Sequence, residues 1–421
     1  MMKSRWLCLG FLLVATAARA DGAAAPEQVE RGRYLAQVGD CVACHTAAGG
    51  AAFAGGLAME TPVGRIYSTN ITPDPQTGIG AYTETDFARA VRKGVARDGR
   101  HLYPAMPYPS FARITDADIS TLYAYFRSGV APVRQANRPS AIPFPLSFRW
   151  PLAVWNAVFV RRSAFAVDPA HDAVWNRGAY LVQGLGHCGT CHSPRGLAFQ
   201  EKAASDKDGA AFLAGADING WYAKSLRGDP DGLARWSEGE LVTFLRTGRT
   251  DRTAAFADMA EVVQHSTQFL ADDDLTAVAR YLKSLPATRG TEAASADQAA
   301  APPSGGYPGA GGAAYGEFCV TCHRGDGAGV PRIFPALAGN SVIATADATS
   351  LIRIVLSGGR MPHTELQHAA YAMPHFDMLD DGEVAQVVSF IRSAWGNSAS
   401  PVTPRQVSRV RAAIHEAAAN P

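Results

Sequence analysis

Cys41-Val42-Ala43-Cys44-His45, Cys188-Gly189-Thr190-Cys191-His192 and Cys319-Val320-Thr321-Cys322-His323 are three copies of one C-x-x-C-H pattern. On a helical turn, residues at i, i+3 and i+4 share a face. Two thiols on that face can add to the two vinyl groups of one porphyrin, while the adjoining imidazole reaches the iron. The pattern is the attachment signature of haem c, so these six cysteines predict three covalently bound haem c groups. A structural zinc site needs four ligands, usually from two C-x-x-C pairs or a pair with distant histidines. A thioredoxin-type pair explains one C-x-x-C, not three copies each followed by histidine. A disulfide scaffold scatters its cysteines instead of pairing them at this spacing.

The surroundings repeat as well. Arg31-Gly32-Arg33-Tyr34-Leu35 precedes the first motif, Arg177-Gly178-Ala179-Tyr180-Leu181 the second, and Gly312-Ala313-Ala314-Tyr315 the third. Far downstream of each comes an acidic start and an amphipathic run: Thr115 to Asp118 before 119–126, Asp272 to Asp274 before 275–285, and Asp380 to Glu383 before 384–391. Ile119, Leu122, Tyr125 and Phe126 recur at helical spacing, as do the apolar residues of the other two runs. Thr115 with Asp118, and Asp380 with Glu383, suit a capping box. Each unit therefore opens and closes with a helix. The expected fold is all-α: three tandem class I cytochrome c-like domains, each around one haem.

Iron in an electron carrier needs a second axial ligand, and methionine opposite histidine is the usual one. Met259 is the only methionine between His192 and the end of the second unit. Met106 and Met373 hold the corresponding places, shortly before the closing helices of their units. The axial pairs expected are thus His45 with Met106, His192 with Met259, and His323 with Met373. Met361 competes in the third unit; His101, His265 and His363 are weaker rivals, and Met59 and Met378 read as packing residues. A ligating imidazole usually donates its free N–H to a carbonyl, and Pro335 is a candidate acceptor in the third unit. The polar groups of Asn70-Ile71-Thr72-Pro73-Asp74 are candidates to meet a haem propionate.

The chain's 421 residues suit about three domains. Residues 1–20 read as a secretory leader: a basic start with Lys3 and Arg5, an apolar run from Trp6 to Ala18, and small residues at Ala18-Arg19-Ala20. The seventh cysteine, Cys8, would leave with it. Loss of Lys3, Arg5 and Arg19 from 39 basic residues leaves 36 against 38 acidic, which does not suit nucleic-acid binding. The units are expected at 26–140, 171–286 and 312–396, joined by an aromatic and basic bridge at 141–170 and a flexible Ala/Pro/Gly/Ser linker at 287–311, with a tail at 397–421. Within the bridge, Trp150 to Val160 is too short to span a bilayer. It is expected to pack between domains, with a membrane surface as the other reading. No G-x-G-x-x-G fingerprint follows a strand, so no dinucleotide site is read.

Four further stretches carry a family likeness: His101-Leu102-Tyr103-Pro104-Ala105-Met106-Pro107-Tyr108, Trp175 to Leu181, Met259 to Val263 with Ser266-Thr267-Gln268, and Phe334 to Asn340. With the three motifs, they make the chain resemble the tri-haem cytochrome c subunit of bacterial membrane-bound dehydrogenases for alcohols, gluconate and fructose. Lys224 departs from that pattern, which more often has proline there. The resemblance implies a subunit exported to the periplasmic face of the inner membrane and peripherally associated with it. It implies a catalytic partner holding FAD or PQQ, a small third subunit, and ubiquinone as acceptor, with no transformation of organic substrate by this chain. A molybdenum hydroxylase or aldehyde dehydrogenase partner, a terminal oxidase, and a haem peroxidase remain as other readings.

Overall fold

The structure, a computed structural model, describes residues 24–161, 163–288 and 307–419. The expected leader and residues 289–306 of the expected linker lie outside the described residues. Each segment opens with a helix, Pro26–Val38, Ala173–Gln183 or Gly309–Phe318, followed by a one-turn helix over its C-x-x-C-H motif. Each closes with a 13-residue helix, Asp116–Ser128, Asp272–Ser284 or Asp381–Ser393. A middle helix absent from the sequence reading stands between them: Glu84–Lys93, Glu238–Thr247 and Thr349–Ser357. The first two of these begin with capping boxes, Thr83 with Asp86 and Ser237 with Glu240, a signal present in the sequence.

The all-α expectation needs one amendment. Three two-stranded antiparallel hairpins interrupt the helices: Ala58–Thr61 with Gly64–Tyr67, Ala216–Ile218 with Trp221–Ala223, and Gly359–Arg360 with Ala372–Met373. They are loops tightened into ladders, too short to build a layer.

Opening and closing helices cross at a glycine. A Cβ on Gly32 would stand 2.3 Å from the Thr121 carbonyl oxygen, one on Gly178 2.0 Å from that of Ala277, and one on Gly311 2.2 Å from that of Gln386. Only a residue without a side chain permits this backbone approach. In the third segment the crossing residue is Gly311, not the Gly312 that begins the repeat read from sequence. Tyr315 is not the counterpart of Tyr34 and Tyr180 either; it is fully buried and donates to the Arg324 carbonyl at 2.6 Å.

The first two segments share one core, in which Leu35, Leu122 and Phe126 join Leu181, Leu185, Leu275 and Tyr281. Their contact is reciprocal. Tyr34 donates to Asp274 and accepts from the Ala271 N–H; Tyr180 donates to Asp118 at 2.5 Å and accepts from the Thr115 N–H. Each opening helix thus holds the start of the other segment's closing helix. Thr115 caps its helix through the Asp118 N–H, but the Asp118 carboxylate turns to Tyr180, so the full capping box expected there is not formed. The box at Asp380 and Glu383 is formed.

The third segment has its own core, extended by the helix Pro404–Ala419 through Val407 and Val410. Arg411 on that helix binds the Asp381 carboxylate at 2.8 Å and the Leu379 carbonyl at 2.6 Å. The tail is therefore a docked element whose few apolar residues are well buried. Tyr222 and Ser350 exchange two hydrogen bonds between the second and third segments. The buried Arg249 donates to the Arg332 and Ala369 carbonyls. In the bridge, the helix Pro151–Phe159 has no buried residue. It nevertheless touches both neighbouring segments, Asn156 meeting Lys93 and Tyr108 of the first and Trp155 the Ala198 carbonyl of the second, while its valines face out.

Candidate functional site

Each C-x-x-C-H turn is closed by the histidine N–H donating to the first cysteine's carbonyl at 3.0 Å, for His45, His192 and His323 alike. Closing the turn sets both sulfurs and the imidazole on one side. Asp40 and His187, immediately before the first two motifs, take positive φ of 49° and 36° and swing the chain from helix into turn. None of these six cysteines is paired in a disulfide. Burial pushes Cys41 and Cys188 up to about 12, and Cys44, Cys191 and Cys319 up to about 11. These are not the exposed, low-pKa thiolates of a reactive cysteine. Among the described residues no cluster of His, Cys, Asp or Glu could hold a metal ion by itself.

The imidazoles are fixed by backbone. Nδ1 of His45 lies 2.7 Å from the Thr69 carbonyl, that of His192 2.7 Å from the Lys224 carbonyl, and that of His323 2.9 Å from the Pro335 carbonyl. A carbonyl only accepts, so Nδ1 carries the proton and Nε2 keeps its lone pair for a metal. Burial pushes all three imidazoles below the usual range, His192 to about 4, which keeps them neutral. Lys224 and Pro335 thus occupy equivalent places. The contact uses the carbonyl, so the departure at Lys224 leaves the imidazole's support intact. Its ammonium turns away, to the Ser341 hydroxyl at 2.8 Å and over the Trp236 ring. Sequence reading found Pro335 and missed Thr69 and Lys224, because a carbonyl acceptor leaves no side-chain signal.

A strongly apolar cavity of about 1700 Å³, counting its open mouth, is lined by Cys188, Cys191, His192 and Met259. A second, of about 1350 Å³ with its mouth included, is lined by Cys319, Cys322, His323, Met361 and Met373. In the first segment Met106 and Cys41 pack with Phe53, Ile71 and Val91 against the shared core. The rival histidines are engaged elsewhere: His101 with Asn156, His265 with Glu261, His363 with the His368 carbonyl. Met378 is exposed. Asn70 and Asp74, read as propionate partners, are taken up by the chain itself. The Asn70 amide donates to the Val133 carbonyl at 2.8 Å, and Asp74 accepts from the Thr77 N–H at 2.7 Å.

The two cavities share a wall. Thr253, Ala254, Ala255 and Phe256 line both, as do Val342 and Ser350. Val38 and Asp40 of the first segment line the second segment's cavity. The second site therefore lies between the other two. Asp40 is buried there with Oδ1 unpartnered, and burial raises its carboxyl to about 8. Gly184-Leu185-Gly186-His187-Cys188-Gly189 matches the letters of a dinucleotide fingerprint, but it follows a helix and leads into the second C-x-x-C-H turn. Two thiols, a neutral imidazole with Nε2 free and an apolar cavity containing methionine are the donor set and surroundings that haem c requires.

The cytochrome c family pattern matches residues 29–129 and 309–395. The chain is 52% identical to the gluconate 2-dehydrogenase cytochrome c subunit of Pantoea cypripedii, over 98% of this chain and 95% of that protein. It is 48% identical to the cytochrome c subunit of alcohol dehydrogenase (quinone) from Gluconobacter oxydans, over 97% and 88%. It is also 43% identical to a nicotinate dehydrogenase subunit of Pseudomonas putida, over 86% of this chain but 30% of that protein. With its cysteine pairs, carbonyl-held imidazoles and apolar cavities, the chain belongs to the family of cytochrome c subunits of dehydrogenases represented by gluconate 2-dehydrogenase and quinone alcohol dehydrogenase.

Proposed function

We propose that this chain is an exported three-haem electron carrier made of three tandem cytochrome c domains, at the periplasmic face of the inner membrane. It takes electrons from a catalytic dehydrogenase subunit holding FAD or PQQ, with a small third subunit in the complex, and delivers them to ubiquinone. The haems attach through Cys41 and Cys44, Cys188 and Cys191, and Cys319 and Cys322. The axial pairs are His45 with Met106, His192 with Met259, and His323 with Met373. The observation that carries this reading is the threefold recurrence of a closed C-x-x-C-H turn whose imidazole is fixed by a backbone carbonyl. The likeness to the cytochrome subunit of alcohol dehydrogenase (quinone) supports quinone as acceptor.

Haem c, when bound, supplies one-electron exchange between ferrous and ferric iron. The chain's part is to tether, orient and dehydrate. Thr69, Lys224 and Pro335 hold the imidazoles in one tautomer; the apolar linings keep water from the sites. The wall from Thr253 to Phe256 keeps the second and third sites adjacent. Intact mass of the chain, exported in a host that matures cytochromes, tests the count: polypeptide plus three haems is expected, and bare polypeptide would end the reading. A second reading, a carrier for a nicotinate-type dehydrogenase, is favoured by the likeness to the nicotinate dehydrogenase subunit of Pseudomonas putida. The catalytic protein that co-purifies from native membranes separates the two.

A further inference from the structure

From Ile119 to Val167 the chain carries six arginines and no Asp, Glu or Lys. With the leader removed, the rest holds 30 basic against 38 acidic residues, so the positive charge is concentrated in one stretch of an otherwise acidic molecule. Within it, the loop before Pro151 and the helix Pro151–Phe159 leave Phe144, Leu146, Phe148, Trp150, Val154 and Val158 exposed, Phe144 at 79% and Trp150 at 70%. Trp155 donates to the Ala198 carbonyl at 2.9 Å, which brings the exposed Leu197 and Phe199 to the same surface. The helix is inverted relative to an ordinary surface helix. Its amide side chain, Asn156, points inward, donating to the Lys93 carbonyl at 2.9 Å and accepting from the Tyr108 hydroxyl at 2.8 Å. A patch of this kind marks an interaction surface.

We infer that this surface docks on an anionic lipid bilayer. Three observations select lipid. The exposed residues are aromatic and aliphatic, on a loop and a nine-residue helix too short to cross a membrane. Tryptophan and phenylalanine beside arginine are the residues that reside at the bilayer interface. The net charge of the stretch is positive, even with Arg161 paired to Asp208 and Arg149 donating to the His101 carbonyl, and is opposite to that of the remaining chain. The surface is also built on the first site. Tyr108 and Asn156 bind each other two residues after Met106, Arg149 donates to the His101 carbonyl at 3.1 Å, and the Tyr103 hydroxyl donates to the Leu146 carbonyl at 3.2 Å. Docking therefore turns the first site toward the lipid and leaves the third farther along the chain of sites. Resting on the proposed function, this makes the first site the one that serves a quinone dissolved in the membrane.

The test is co-sedimentation of the purified holo-cytochrome with phosphatidylcholine vesicles, with and without phosphatidylglycerol. Wild type is expected to bind, more strongly with phosphatidylglycerol and less in high salt. Trp150→Ser/Val154→Ser/Val158→Ser is expected to lose binding by about tenfold or more, while intact mass and the haem spectrum remain those of wild type. Leu366→Ser/Met378→Ser, which alters exposed apolar residues of the third segment, is expected to bind as wild type does. Undiminished binding by the triple variant overturns the inference, as does wild type that stays in the supernatant with every vesicle. Loss of a co-purifying catalytic subunit, or dissociation of a dimer, with vesicle binding kept also overturns it. Reduction of a water-soluble ubiquinone analogue in detergent is read separately. Its absence in wild type counts against the proposed function, whatever the vesicles show.

Discussion

Met373 and Met361 line the same cavity, and a single residue decides which serves the third site. Met373→Ala is expected to retain three covalent haems by mass while converting one to a lower-potential form that binds carbon monoxide; Met361→Ala should leave the redox titration unchanged. The reverse outcome reassigns the ligand. Met259→Ala should behave as Met373→Ala does, in the second site. Asp40 provides a pH test. Its folded pKa of about 8 lies above the usual 3.8, so between these values the folded chain holds a proton that the unfolded chain has lost. Stability from this group is therefore full below about pH 4 and falls as pH rises toward 8. Asp40→Asn suits the left-handed backbone and removes the burden. Its melting temperature should exceed wild type's at pH 7 by a few degrees, corresponding to about 1 kcal/mol or more, and the difference should shrink toward pH 5. A difference independent of pH would reject the assignment.

At the scale of elements, the helix crossings depend on having no side chain. Gly178→Ala would put a methyl 2.0 Å from the Ala277 carbonyl, so a loss of about 2–3 kcal/mol is expected in urea unfolding. Gly239→Ala, in the middle helix Glu238–Thr247 with nothing within 4 Å, should gain up to about 0.5 kcal/mol. The reciprocal tyrosines are not equal. Asp274 is also gripped by Arg177 at 2.7 and 2.8 Å, whereas no ion pair to Asp118 is formed among the described residues. Tyr180→Phe should therefore cost more than Tyr34→Phe, each about 1–3 kcal/mol. Equal losses would mean that the neighbouring arginine does not compensate.

On the scale of the whole molecule, the shared wall and the placing of Asp40 put the second site between the first and the third. Cys188→Ala/Cys191→Ala should yield a chain with two haems by mass. Each remaining haem should still be reducible by a small dye, but passage between the outer sites should slow by orders of magnitude. Rapid equilibration between them in that variant would show that the outer sites meet directly. The fusion of the first two segments through one core and two Tyr–Asp contacts predicts that they unfold together, while the third, with its own core, melts separately in calorimetry.

What the sequence determined by itself was local. Haem attachment requires cysteine, cysteine and histidine on one turn, so the motif needs no distant partner to be read. The opening and closing helices were legible from their periodicity, and Met259, singled out as the sole methionine of its segment, lines the cavity with His192. The middle helices had capping boxes at Thr83 and Ser237 that were open to the same reading. Tertiary structure alone decided whatever depends on backbone or on residues far apart. Thr69 and Lys224 act through carbonyls that every residue possesses. Asn70 turns inward because the distant Val133 carbonyl satisfies it, and Asp74 because its own loop does. The bridge helix turns its valines to solvent because Lys93 and Tyr108 claim Asn156 from the inside. A pattern of side chains specifies which groups are present; only packing specifies which of them the protein itself consumes and which it leaves facing outward.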